Sequence, residues 1–145
     1  MPKLLVLRGL PASGKSTYAR SLVASYPVGS AVRINNDELS LMMFGSAYAK
    51  SDYSANLLGR VRANLVREAF RNHAELVIMD NTNITAKAVG SLRKLALECG
   101  ADFELNESFV DVPLAVCLER NAGRENPVPE KVIIEMSRLL DKLGG

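Results

Sequence analysis

Apolar residues in this chain fall into short blocks that alternate with longer amphipathic stretches. Lys3–Arg8 (KLLVLR) is a compact apolar run stopping at Gly9, the pattern of a strand buried on both faces. A Gly/Pro/Ser segment, GLPASG, follows, and helical character then extends from Lys15 to about Ser25, ending before Tyr26-Pro27. Ala31–Ile34 predicts a second strand that ends in Asn35-Asn36-Asp37, and a helix is expected from Asp37 to Phe44. After a loop over Gly45–Asp52, the pattern predicts a long helix from about Ser54 to Asn72. At about 100° per residue, Leu58, Val61, Leu65 and Ala69 share its expected core face, while Arg60, Arg67 and Arg71 gather on roughly the opposite one. Leu76–Met79 predicts the third strand, closed by Asp80, and Thr85–Cys99 a helix stopped by Gly100. Phe103–Val110 reads as a fourth, less regular strand. Pro113 opens a helix to about Arg120, the polar loop NAGRENP follows, and a last helix runs from about Pro129 to Leu143.

Strands alternating with helices imply βαβ units, and therefore an α/β fold with a parallel sheet of about four strands and helices on both faces. The 145 residues suit a single domain over 1–145, and no linker divides them. Apolar types at 48% and charged types at 23% support a folded core rather than disorder.

Eighteen Lys and Arg against sixteen Asp and Glu leave a formal charge of +2, so bulk charge does not hold this chain on nucleic acid or membrane. Any polyanion site must be local. Cys99 and Cys117 form neither a CxxC pair nor a disulfide ladder, and they read as reduced thiols of a cytoplasmic protein. With His73 as the only histidine, no zinc-ligand spacing is present. The N-terminal apolar run is too short for a membrane span or a secretion signal, so no membrane partner is expected.

Gly9-Leu10-Pro11-Ala12-Ser13-Gly14-Lys15-Ser16 matches GxxxxGK[ST] in full, between an expected strand and an expected helix. Glycines let successive backbone N–H groups curl toward phosphate oxygens, and the following helix adds its positive end. Gly9, Ala12, Ser13, Gly14 and Lys15 would cradle the nucleotide, with Lys15 on the β- and γ-phosphates. Ser16 would ligate Mg²⁺, and Thr17 would reach the α-phosphate.

In open α/β sheets ligands bind beyond the carboxyl ends of the strands, which puts Gly9, Asp37 and Asp80 along one edge. Asp80 closes LVIMD as an anchor for the metal through water, or as a cap for the next turn. Asp37 is placed to accept a proton from an attacking hydroxyl, a role compatible with capping a helix. Arg120 and Arg124, in the polar stretch between the last two helices, suit the charge that spreads over a transferring phosphoryl group, delivered by a loop acting as a lid.

Taken in order, GLPASGKSTYAR, INNDEL, LVIMDNTN and VDVPLAVCLERNAGR…VPEKVI resemble the phage-type polynucleotide 5′-kinase family of P-loop phosphotransferases over nearly the whole chain. The resemblance implies transfer of the γ-phosphate of ATP, with Mg²⁺, to a hydroxyl, typically the 5′-OH of DNA or RNA. It implies a general base at Asp37, phosphate contacts by Lys15, Ser16 and Thr17, and lid arginines at Arg120 and Arg124. Thr82 and Asn83 match the family's TN pair beside the metal and phosphates. Two departures stand out. Ser40 occupies the place of an arginine that holds an acceptor phosphate in a phage member of the family. Asn81, rather than Asp, precedes the TN pair, with Asp80 one place earlier. The length matches a kinase domain alone, without a 3′-phosphatase domain.

The acceptor stays open at this point. Asp37, Ser40, Asn83, Arg60 and Arg67 are its candidate contacts, with the Arg60/Arg67/Arg71 stripe either tracking a strand's phosphates or simply solvated. Met42, Met43 and Phe44 either line the acceptor pocket or pack. A hydroxyl on a modified base within phage DNA, such as 5-hydroxymethyluracil, is an alternative acceptor, and a small molecule or nucleotide is another. A non-catalytic ATP-binding module is disfavoured by Lys15, Ser16, Asp37 and Asp80 standing together.

Overall fold

The computed structural model describes residues 1–48 and 51–144. Of the expected loop over Gly45–Asp52, residues 49 and 50 lie outside them. Four strands, β1 (Lys3–Leu7), β2 (Ala31–Ile34), β3 (Leu76–Asp80) and β4 (Asp102–Asn106), form one parallel sheet in the order β2-β3-β1-β4. The helices are α1 (Lys15–Ala24), α2 (Asn36–Phe44), α3 (Asp52–Arg71), α4 (Ala86–Glu98), α5 (Leu114–Ala122) and α6 (Glu130–Gly144). Parallel register aligns Leu7 with Asp80 and Asn106, so the segments after β1, β2 and β3 emerge along one edge.

The apolar runs are central strands because both their faces are covered. Leu4 and Val6 of β1 point into a core completed by Val66 of α3 and by Leu92, Leu95 and Ala96 of α4. Leu5 and Leu7 point the other way, onto Ala19, Leu22 and Val23 of α1. Leu4, Leu7 and Ile78 are fully enclosed, a burial worth about 1.5–3 kcal/mol for each such side chain. A third core joins α5 and α6 to the loop after β1 through Leu10, Cys117, Val128 and Ile133. That core fixes the last two helices beside the edge where the strands end. Both cysteines are free thiols.

Three expectations need correction. The fourth strand stops at Asn106 rather than Val110. β1 offers only five residues to pair with, and beyond them Asn106 Oδ1 accepts from the Ser108 backbone N–H at 2.8 Å and turns the chain. Phe109 is thereby released from the sheet. On α3 the buried row is Val66 with Ala63, Ala69 and Phe70, while Leu65 is 39% exposed. Two apolar rows lie side by side on this helix, and the sheet takes the one containing Val66. Arg120 lies in the last turn of α5 rather than in the loop, which leaves only Arg124 between α5 and α6.

Candidate active site

The edge opens into a cavity of about 1250 Å³. Its floor is the loop from Pro11 to Thr17, its walls are the ends of β2 and β3, and its far side is formed by α5, α6 and the turn at Phe109. Ala12, Ser13, Gly14, Lys15, Ser16, Thr17, Asp37, Ser40, Asp80, Asn81, Thr82, Arg120 and Arg124 all line it, so the structure unites most of the residues singled out in the sequence.

The loop is shaped by local conformation. Gly14 takes φ 105° at the N-cap of α1, a left-handed conformation that glycine enters without a Cβ penalty. Gly9 is small for a different reason: a Cβ there would stand 2.9 Å from Phe109 Cβ and 3.2 Å from the Phe109 carbonyl oxygen. Phe109 also packs against Tyr18, ring centroids 5.6 Å apart. Lys15 folds into the concavity and donates to the carbonyl oxygens of Gly9 (2.8 Å) and Leu10 (2.6 Å). Burial pushes its ammonium down to about 8, against the pull of Asp80 and with the help of nearby Arg124.

Asn35 caps α2 by accepting from the Glu38 N–H, and the helix begins at Asn36. The capping role weighed for Asp37 therefore belongs to Asn35. Asp37 faces the cavity, and burial raises its pKa above the ordinary carboxylate value despite the opposing pull of Arg124 and Lys15. A carboxylate of raised pKa is a better proton acceptor than one at the ordinary value.

Asp80 is enclosed at the end of β3. Its Oδ2 accepts from Arg33 Nε at 2.7 Å, and its Oδ1 has no hydrogen-bond partner among the described residues. Arg33 also donates to Glu38 Oε2 at 2.7 Å and to Ser16 Oγ at 3.3 Å. Burial works against its charge, but the bonds to Glu38 and Asp80 prevail and raise its pKa. No group of three or more His, Cys, Asp or Glu among the described residues forms a metal cage. Magnesium needs none, since it keeps several waters and takes one or two carboxylates beside substrate phosphates. The Ser16 hydroxyl and the orphaned Asp80 oxygen fit such an ion.

Other expected residues lie outside the cavity or have their polar groups engaged within the chain. Asn83 is buried outside the cavity lining, donating to the Leu7 carbonyl at 2.7 Å and accepting Arg8 Nε at its own carbonyl at 2.8 Å. It braces the exit from β1. Ser40 lines the cavity, but its hydroxyl donates to the Ser46 carbonyl at 2.6 Å. Arg67 bonds Asn64 at 3.0 Å and pairs with Glu98, Arg71 pairs with Glu68, and Arg60 is exposed; none of the three lines the cavity. Met42, Met43 and Phe44 are also outside it, with Met42 74% exposed.

Arg33 and Phe109 were missed in the sequence. A charged residue inside the apolar run AVRI was the available signal for the first. The second was hidden by its assignment to a strand.

A family model described as an AAA domain matches residues 4–143. The chain belongs to that family, AAA_33. It is a P-loop kinase domain. Similar to it is the L-seryl-tRNA(Sec) kinase of Methanococcus maripaludis, 28% identical over 97% of this chain and 53% of the relative. A protein of Autographa californica nuclear polyhedrosis virus, whose name proposes a bifunctional polynucleotide kinase/RNA ligase, is 29% identical over 88% of this chain and 19% of its own length. The kinase domain thus spans about half of one curated relative and a fifth of the other. Among solved structures, a chain of the Pnkp1/Rnl/Hen1 RNA repair complex superposes with a TM-score of 0.82 at 24% identity, covering 99% of the kinase domain and 45% of that chain. That likeness establishes the fold. No helix among the described residues is long and apolar enough to cross a membrane.

Proposed function

We propose that the kinase domain transfers the γ-phosphate of ATP to a hydroxyl carried by a nucleic acid, with a polynucleotide 5′-OH as the acceptor. The observation that carries this reading is Asp37: a solvent-reachable carboxylate of raised pKa that lines the same cavity as Lys15, Ser16, Arg120 and Arg124. The curated relatives, named for kinases of tRNA-borne and polynucleotide substrates, support a nucleic-acid acceptor.

In the transfer, Lys15 exchanges its loop carbonyls for phosphate oxygens, and the N–H groups from Ala12 to Thr17 hold the β-phosphate. Asp37 takes the proton of the acceptor hydroxyl as its oxygen attacks the γ-phosphorus, and the bond to ADP breaks. Arg120, whose Nη1 already reaches the Ala12 carbonyl at 3.4 Å, and Arg124 meet the charge on the transferring group as a lid. A magnesium ion held by Ser16, and by Asp80 through water, would neutralise the β- and γ-oxygens.

Incubation with γ-labelled ATP, Mg²⁺ and 5′-OH DNA or RNA is expected to label the 5′ end. Ser40 favours a second reading. With its hydroxyl committed to Ser46, the cavity lacks the acceptor-side arginine noted above, and a hydroxyl on a modified base within DNA does not need it. Label at internal positions would decide for that acceptor, and no label on any polymer would leave a small-molecule kinase.

A further inference from the structure

Arg33 joins three parts of the site that the chain brings from separate elements. Its Nε holds Asp80 at the end of β3 at 2.7 Å, its Nη2 reaches Ser16 at the start of α1 at 3.3 Å, and its Nη1 holds Glu38 in the first turn of α2 at 2.7 Å. Glu38 follows Asp37 directly and is also gripped by Arg20 of α1 at 2.8 Å. A carboxylate at the end of a strand can rotate to offer either oxygen. Here one oxygen is occupied, and the other is left enclosed without a partner among the described residues. A buried acceptor without a partner is costly to keep, so its retention calls for a ligand at that oxygen.

We propose that Arg33 is a positioning residue for phosphoryl transfer: it fixes Asp80 so that Oδ1 serves the hydration shell of a divalent cation beside Ser16, and it ties that assembly to the turn bearing Asp37. The proposal rests on the kinase reading above. Its rigid fork suits the task, because a planar guanidinium can satisfy three acceptors at fixed angles whereas an ammonium is a point charge. The same contacts allow an opposite role, a resident cation that a metal must displace, and the two differ in sign. Removing a positioning residue weakens metal binding. Removing a competitor strengthens it.

The test measures Mn²⁺ binding by electron paramagnetic resonance, with the non-hydrolysable analogue AMPPNP, in wild type, Arg33→Met and Arg33→Lys. Mn²⁺ affinity in the ternary complex is expected to fall about 10- to 100-fold in Arg33→Met. Arg33→Lys keeps the charge that stabilises buried Asp80 and covers the case in which the methionine variant does not fold; it too is expected to lose about tenfold, because one ammonium does not span three acceptors. Metal-free AMPPNP binding, measured in EDTA, is expected to change less than about threefold, a split that a general loss of structure would not produce. Unchanged or tighter Mn²⁺ binding in a folded variant overturns the role of Arg33. A wild type that binds neither AMPPNP nor its Mn²⁺ complex overturns the kinase reading itself.

Discussion

The Lys15 ammonium lies 2.6 Å from the Leu10 carbonyl oxygen, so the phosphate loop holds its own cation in the space where phosphates are expected. Burial lowers that ammonium to about 8, which means it is charged below that pH and neutral above it in the free protein. Bound phosphates favour the charged form, so nucleotide binding takes up a proton at higher pH. ATP affinity, followed by calorimetry in EDTA, is expected to fall by up to about tenfold per unit above pH 8. Lys15→Ala should bind weakly at every pH and lose the slope. Wild-type affinity that stays flat to pH 9.5 would contradict this account of the lysine.

As the proposed base, Asp37 would act only when ionised. Turnover is therefore expected to rise with pH along an acid limb whose midpoint lies above the ordinary carboxylate value, since burial raises this group. Asp37→Asn should lower kcat by about 10²- to 10⁴-fold while changing nucleotide affinity by less than about threefold. A pH–rate profile and a binding titration on the same preparation check both halves. Retained turnover removes Asp37 as the base.

Arg124 acts on two ionisable groups at once. Its positive charge draws Asp37 down and, by repulsion, draws Lys15 down as well. Arg124→Ala is expected to move the acid limb of turnover and the alkaline limb of ATP binding to higher pH together. A variant in which only the rate changes, with both limbs fixed, would place Arg124 away from these groups.

Gly9→Ala would drive a methyl group against the Cβ and carbonyl oxygen of Phe109. The expected cost is about 1–3 kcal/mol of stability, read as a lower melting midpoint. Phe109→Ala is not expected to rescue it, because the crowded atoms are the ones alanine retains. Rescue by that second change would show the ring to be the obstacle.

The sheet, its helical layers and most of the phosphate site were legible because each rests on a local rule. KLLVLR followed by GxxxxGK[ST] fixes a strand, a loop and a helix within about twenty residues, and LVIMD ends where a parallel strand brings its last carboxylate to the carboxyl edge of the sheet. What was hidden depends on tertiary choice. Phe109 turns inward only because β1 ends at Leu7, leaving β4 nothing to pair with. Arg33 acquires its meaning only when β2 sits beside β3, bringing Asp80 to its guanidinium. The arginines of α3 read from the sequence as either a track for a strand's phosphates or a solvated face, and Arg67 and Arg71 pair with surface carboxylates outside the cavity.

The most direct measurement is phosphoryl transfer from γ-labelled ATP to matched oligonucleotides bearing either a 5′-OH or a 5′-phosphate, with wild type and Asp37→Ala compared in the same assay. The account predicts label on the 5′-OH DNA or RNA alone, lost in Asp37→Ala although that variant still binds ATP. Equal label on both oligonucleotides, or none on either from a wild type that binds ATP, would contradict a polynucleotide 5′-hydroxyl as the acceptor.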